Sequence, residues 1–272
     1  LTTSAIARMN LFLHDIEDFK IVRGDTLRSP GLREPDGRIS HFSVVLANPP
    51  FSLQNWGADT WAADPRSFCG IPPAKNGDYA WVEHMVASMT PETGRVGVVM
   101  PHGVLFRGGK EGAIRECLIK DDRLEAVIGL PKNLFYSTTI PACLLIFRAK
   151  KSAERAGHVL FIDGETRFKK GKNQNYMDAE DVQAILDAYT TGEDPDGEGG
   201  VEVRLVPQDE IEANGWDLST GRYLTATAED ETNLDEALTT YFEAREARIN
   251  SEKDLFERLT AAGIADLGTP DE

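Results

Sequence analysis

Four consecutive residues, Asn48-Pro49-Pro50-Phe51, carry the groups best suited to chemistry in this chain. Each proline holds φ at about −65° and removes a backbone N–H. The carbonyls of Asn48 and Pro49 therefore have no local donor to turn back to. An amide oxygen, a bare carbonyl and an aromatic ring are presented together on a rigid turn. An amino group between the two oxygens can donate both hydrogens while Phe51 stacks on the ring that bears it. The competing reading is an ordinary Asn-Pro turn with Phe51 in the core. Position favours the first. The turn follows His41-Phe42-Ser43-Val44-Val45-Leu46-Ala47, which reads as a buried strand. In open α/β sheets the carboxyl end of a strand is where ligands bind.

A turn of this kind needs a sheet to hold it. Residues 4–13 read as a helix and residues 19–22 as a strand leading to Gly24-Asp25. Residues 28–40, with Pro30, Gly31, Pro35 and Gly37, read as a surface loop. Residues 52–77 are rich in Gly, Pro, Asn and Trp and lack periodicity, which predicts a long loop placed to close over a bound cofactor or base. Val82, Met85, Val86 and Met89 recur at helical spacing. Strands are predicted over 96–100, 124–128, 142–147 and 159–163, with a helix over 112–120 and a basic connector at Lys150, Lys151 and Arg155. Asp178 is placed to cap a helix running to residue 189, with Asp181 at its third position. The alternation of strands and helices predicts a parallel α/β sheet.

With 272 residues the chain holds one large domain or one and a half. Its net charge of −16 lies entirely beyond residue 189: residues 190–272 carry 6 basic and 22 acidic side chains, and residues 1–189 carry 23 of each. An acidic stretch repels phosphate, so the C-terminal part does not grip DNA by itself. Arg167-Phe168-Lys169-Lys170-Gly171-Lys172 is a basic cluster with an aromatic inside it, a candidate for phosphate contact or a solvated loop. Cys69, Cys117 and Cys143 share no metal-ligand spacing and read as reduced, mostly buried thiols of a cytoplasmic protein, with no metal site. No apolar run reaches the length of a membrane span. The chain begins without Met, inside a helix, and reads as a fragment of a longer chain or an incomplete record. Residues 192–200 read as a flexible acidic link. Residues 232–262 read as one long helix capped by Asn233 and Glu236. Leu234, Leu238, Tyr241, Arg245, Ile249, Glu252, Phe256 and Leu259 recur along it at spacings of three and four, as in a helix that packs on another helix or on its own domain.

The motifs resemble a known family. Asn48-Pro49-Pro50-Phe51 matches the catalytic motif of enzymes that methylate the exocyclic nitrogen of adenine in DNA. Ala7-Arg8-Met9-Asn10-Leu11, Gly24-Asp25-Thr26-Leu27, Gly94-Arg95-Val96 through Met100-Pro101-His102-Gly103-Val104-Leu105-Phe106, and Ile128-Gly129-Leu130-Pro131 with Phe135 and Ile140-Pro141 look like the modification subunit of type I restriction-modification systems. These cover residues 1 to 150. A looser likeness, in Gly171-Lys172-Asn173-Gln174-Asn175, Trp216-Asp217-Leu218 and Arg222-Tyr223-Leu224, continues to residue 225.

The resemblance implies an α/β, Rossmann-like, S-adenosylmethionine-dependent methyltransferase sheet. Strands 3 to 7 are present, strands 1 and 2 with the Gly-rich cofactor loop lie upstream of Leu1, and a C-terminal helical extension follows. The implied parts are a catalytic domain over 1–150, a family-specific extension over 151–228 and a subunit-contact helix over 229–265. Asn48, Pro49, Pro50 and Phe51 become catalytic. Phe135, with Tyr136 as its rival, joins Phe51 in stacking on the target base. Asp25, Thr26, Leu27, Asn48 and Trp81 become cofactor contacts, though Asp25 also reads as a turn cap and Trp81 as core. The implied partners are DNA, a specificity subunit, a second modification subunit and a restriction subunit, with no membrane. Three other readings remain: a protein-glutamine methyltransferase, a cytosine-N4 methyltransferase, and a non-catalytic piece that only docks the specificity subunit.

Overall fold

The computed structural model describes residues 3–136, 139–194 and 201–224, together with the single positions Arg245, Ile249 and Ser251. Chain contacts divide the protein into residues 1–225 and residues 226–272. In the first unit α1 (Thr3–Leu13) precedes β1 (Val44–Ala47), α2 (Ala58–Trp61), α3 (Asp78–Ala87) and β2 (Arg95–Pro101). Next come α4 (Gly103–Phe106), α5 (Lys110–Lys120), β3 (Leu124–Gly129), β4 (Ala142–Arg148) and β5 (His158–Asp163). The small hairpin β6 (Lys169–Lys170) and β7 (Asn175–Tyr176) leads to α6 (Ala179–Thr191), β8 (Val203–Pro207), α7 (Gln208–Ala213) and α8 (Thr220–Tyr223).

Six strands form one sheet in the order β1-β2-β4-β3-β5-β8. It is mixed, not parallel as the alternation predicts. β1 and β2 pair in parallel, as do β3 and β5, but β4 lies antiparallel between β2 and β3, and β8 is antiparallel to β5. The segment joining β3 to β4 holds no described helix to carry a crossover, so β4 returns beside β3. The sheet also runs past residue 150, because β5 and β8 extend it without a break.

Side chains alternate across the central strands and split the interior into two cores. Val127, Val159 and Phe161 pack with α3, α5, α7 and α8 residues on one face, including Met85, Leu118, Ile211 and Tyr223. Ala126, Ile128, Leu160 and Ile162 meet Ala184, Ile185 and Ala188 of α6 on the other. Layers on both sides explain why every residue of β3 is buried. β1 is different. Val45 and Ala47 pack on the first core, but Val44 and Leu46 face away and are 45% and 77% exposed. The expected buried strand is thus an edge strand covered on one face among the described residues. Residues 19–22 form no strand, because no described strand lies beside them to take their backbone hydrogen bonds.

The helices follow their local chemistry. Asp178 accepts from the backbone N–H groups of Glu180 and Asp181 at 3.1 and 3.0 Å, and Asp181 returns the bond to Asp178 N–H at 3.1 Å, a complete capping box. Gly192 closes α6 at φ 77°, a conformation that glycine adopts without a Cβ clash. Residues 195–200 of the expected link, and nearly all of the predicted helix over 232–262, lie outside the described residues; Arg245, Ile249 and Ser251 are helical and exposed.

Residues 52–77 are not an open lid. Gly77 N–H donates to the Leu53 carbonyl at 2.9 Å and clasps the ends of the loop. A Cβ on Gly77 would lie 2.9 Å from the Trp56 ring, so glycine allows the clasp to close. Trp56 and Trp61 are buried edge to face with Leu27 and Ala80, and the Trp56 indole N–H donates to the Pro73 carbonyl at 2.9 Å. The loop brings Cys69 to Cys117 of α5, and the two form a disulfide. This corrects the expectation of three reduced thiols: Cys143 alone is free, and burial pushes its thiol pKa far up. The pair closes a sequence separation of 48 residues. Reduction should therefore destabilise the protein by about 2–4 kcal/mol in chemical denaturation. Protein prepared without reductant should release one titratable thiol on denaturation; finding three would show that Cys69 and Cys117 are not bonded.

Candidate active site

The Asn-Pro-Pro-Phe turn leaves the sheet at the carboxyl end of β1. Ala47 pairs with Val98, three residues before β2 ends at Pro101. Asn48 and Pro50 are exposed, Pro49 is buried and Phe51 is half-buried. Neither the Asn48 side-chain amide nor the Pro49 carbonyl is engaged in a hydrogen bond among the described residues. Asn48 is thus exposed with its amide unengaged, and the Pro49 carbonyl has no donor although Pro49 is buried.

The chain leaving the turn is tightly held. Ser52, in the left-handed region at φ 52°, donates its N–H to Asp78 Oδ1 at 2.7 Å. Asp78 is fully buried at the N-terminus of α3, where the helix dipole favours a carboxylate. Its second oxygen accepts from Arg107 at 2.5 Å, and Arg107 donates to Glu111 at 2.6 Å. Burial works against the Arg107 charge, but Glu111 and Asp78 outweigh it and raise its pKa. This chain of charges ties Ser52 to α3 and to the segment entering α5. Sequence reading missed it because its members lie 26 and 29 residues from Asp78. The one signal for it was an Asp directly after a glycine at the start of an apolar helix.

The second anchor, Arg66, also escaped the sequence reading. It is 1% exposed. It pairs with Asp64 at 2.7 Å, donates to the carbonyls of Thr26 at 3.0 Å and Leu27 at 2.6 Å, and lies over the Trp61 ring. It also meets His84 Nδ1 at 3.0 Å. Burial first, then the Arg66 charge, lowers the His84 pKa to about 4, so its ring is neutral at neutral pH and Nδ1 accepts. Arg66 thereby fixes the Gly24-Asp25-Thr26-Leu27 turn against the loop and α3.

The expected cofactor contacts divide. Asp25 is exposed, but its Oδ1 accepts from Leu27 N–H at 3.1 Å and Arg28 N–H at 3.0 Å, and Arg28 lies 3.5 Å from Oδ2. It caps its own turn. Thr26 is exposed. Leu27 is 2% exposed within the tryptophan cluster, so its side chain is committed to the core. Trp81 is wedged against two cores with its indole N–H buried, the core alternative. Asp25 thus caps its own turn, Leu27 is buried, and Trp81 is half-buried against two cores. Asn48 and Thr26 remain presented.

Phe135 is half-buried and Tyr136 is 86% exposed, on the segment after β3. β3 runs parallel to β1, so these rings emerge at the same end of the sheet as Asn48. His102, following β2, and Glu165, following β5, also lie at that end. His102 Nε2 is 2.9 Å from the Ala142 carbonyl and 3.9 Å from Glu165. Burial, then the neighbouring Asp163, pushes the Glu165 pKa up. The site end thus carries two further polar groups: His102, which lies within a quoted motif, and Glu165, which no motif marked.

A family model described as N-6 DNA methylase matches residues 1–232. The chain belongs to this family. It is 34% identical over 239 residues to the type I restriction enzyme MjaVII methylase subunit of Methanocaldococcus jannaschii, covering 83% of this chain and 39% of that protein. It is 30% identical over 250 residues to the EcoKI methylase subunit of Escherichia coli, covering 88% of this chain and 42% of the relative. The chain thus spans about two fifths of these relatives' length. Among solved structures, the type I restriction-modification methyltransferase subunit of Streptococcus thermophilus superposes with a TM-score of 0.73 at 36% identity, over 83% of this chain and 46% of that one. The sheet is therefore that of a Rossmann-like methyltransferase, with β4 and β8 as its antiparallel strands.

The Asp78 network makes a direct prediction. Asp78→Ala leaves the Ser52 N–H and the Arg107 guanidinium without their shared partner and should cost about 3–5 kcal/mol. Asp78→Asn retains an acceptor for Ser52 and should cost less. Urea denaturation of both variants measures this. Stabilities within about 0.5 kcal/mol of wild type would show that Asp78 does not anchor the turn.

Proposed function

We propose that this chain is the catalytic part of a type I modification subunit, and that it presents an adenine flipped out of DNA for N6 methylation with S-adenosylmethionine. One observation carries the reading: the Asn48 amide and Pro49 carbonyl are unengaged, on consecutive residues of an anchored turn at a strand's carboxyl end.

The adenine amino group is a poor nucleophile because its lone pair is delocalised into the ring. The Asn48 and Pro49 oxygens accept its two hydrogens and favour a tetrahedral nitrogen whose lone pair is free to react. This is positioning and electrostatics, with no covalent nucleophile on the protein. The base must leave the helix to reach the turn. Phe51 stacks on one face, with Phe135 or Tyr136 on the other. S-adenosylmethionine supplies the methyl group when bound. Asp25, Thr26 and Asn48 are the groups of this chain presented for it, and further residues complete its site. We place the protein in the cytoplasm, together with its DNA substrate; no described helix is long and apolar enough to cross a membrane.

Asn48→Ala in the full-length protein should lower methyl transfer to adenine by about 10²–10³-fold. S-adenosylmethionine affinity should stay nearly unchanged. Near-wild-type incorporation of labelled methyl groups into duplex DNA by the variant would remove Asn48 from the catalytic role.

The proposal includes a partner that reads sequence, because residues 1–189 are neutral and the rest is acidic. Residues 232–262 are proposed to dock the specificity subunit, alongside a second modification subunit and a restriction subunit. Replacing Leu238 and Ile249 by Asp buries unpaired charge in that seam, at a cost of several kcal/mol, roughly. The expected result is loss of co-purification with the specificity subunit while the catalytic unit stays folded. Normal assembly of the double variant would assign the helix to its own domain.

A further inference from the structure

The basic cluster noted in the sequence folds into the β6–β7 hairpin, and the hairpin is fastened to the segment that carries Phe135 and Tyr136. Asn175 N–H donates to the Asn133 carbonyl at 2.8 Å, and Asn175 Nδ2 donates to the Lys132 carbonyl at 2.8 Å. Lys170 pairs across the hairpin with Asn175, so the two share a face, the one turned to residues 132–133. Lys169 points to the opposite face with Tyr176 and lies 3.6 Å from Asp178. At the tip Gly171 N–H donates to the Gln174 carbonyl, and a Cβ on Gly171 would approach that oxygen to 2.4 Å, so the turn depends on glycine.

Lys132, Lys170 and Lys172 are all exposed and make no ion pair among the described residues. Three ammonium groups therefore stand unneutralised on the hairpin and on the segment it is bonded to, the same segment that carries the exposed Tyr136. We infer that together they form a phosphate clamp: Lys132, Lys170 and Lys172 bind the DNA backbone next to the flipped nucleotide. The inference rests on the proposed adenine chemistry for its ligand. The argument for DNA is positional. A base stacked on Phe135 or Tyr136 carries its flanking phosphates past the hairpin that braces those residues, and phosphate contacts set register without reading sequence.

The test uses the full-length protein with its partner subunit and a labelled duplex of arbitrary sequence, since the phosphate contribution is independent of sequence. Lys132, Lys170 and Lys172 are changed together to Gln; all three are exposed, so folding is unaffected, and Lys170→Glu alone serves as an independent second variant. Each lost phosphate contact lowers the slope of log K against log salt by about 0.9. The triple variant should lose about 2–3 from that slope. It should also bind roughly tenfold to a few hundredfold more weakly at about 0.1 M salt. KM for DNA should rise while turnover at saturating DNA stays within a few-fold of wild type. Lys170→Glu should show the same loss in smaller measure. An unchanged slope and KM overturn the clamp, and so does a loss of subunit assembly in place of DNA affinity, which would assign the lysines to a protein interface. The two readings fail separately: a wild-type assembly that binds duplex but methylates no adenine refutes the proposed activity, while the salt slopes still judge the hairpin.

Discussion

The Asn48-Pro49-Pro50-Phe51 turn depends on a buried carboxylate that lies outside it in the sequence. Asp78 accepts the N–H of Ser52, the first residue after Phe51, and holds Arg107 with its other oxygen. A buried charge without partners would be strongly destabilising; here the helix N-terminus, a backbone N–H and a guanidinium share it. Two prolines make the turn stiff, but stiffness alone does not aim it. The Asp78 network aims it, by fixing where the chain goes next, and the apolar contacts of α3 fix Asp78 in turn.

Beneath the turn the molecule is stabilised by covering both faces of its central strands. β4, inserted between β2 and β3, pairs on both edges, and its Cys143, Leu145 and Phe147 fill the larger core. The same insertion sends the segment after β3 out toward the site end, where Phe135 and Tyr136 emerge. Toward β1 the second layer stops, and Leu46 stands exposed beside the catalytic turn. The region expected to be a mobile cover is instead one of the better-anchored parts. It is clasped by Gly77, filled by two tryptophans, pinned by Arg66 and joined to α5 through Cys69. A buried carboxyl lies against it: burial pushes Glu83 up to about 8, although Cys69 N–H donates to it at 3.1 Å. Residues 52–77 are therefore an anchored part of the fold beside the candidate site.

Charge is unevenly distributed along the chain. The acidic excess sits in the C-terminal part, and the first 189 residues balance to zero. Within that balance the local field matters more than the sum. Arg66, Arg107 and Lys151 direct their charge internally, onto Asp64, onto Asp78 and Glu111, and onto Asp122. Lys170 and Lys172 of the hairpin do not, which leaves their positive charge unpaired among the described residues.

The sequence by itself determined what depends on neighbours in the chain. Short apolar runs predicted β2, β3, β4 and β5, helical spacing predicted α3, and Asp178 with Asp181 predicted the start of α6. Pro49 and Pro50 supply no N–H donors, so the stiff turn and its unpaired Pro49 carbonyl were legible from the order of the residues. Tertiary structure decided what depends on distant partners. Nothing local distinguishes the antiparallel β4 from a parallel strand, since strand direction is set by the connection and by the neighbours it meets. Likewise β8 and the two-residue strands of the hairpin are too short or too polar to show a period. Asp78 and Arg66 read as ordinary charged residues until folding removes water from around them and leaves Ser52 N–H, Arg107 and two backbone carbonyls as their partners. Cys69 and Cys117, 48 residues apart, are joined only because the tryptophan-packed loop lies against α5. Local patterns encode propensity, whereas burial and pairing are properties of the assembled chain, and the site is built from both.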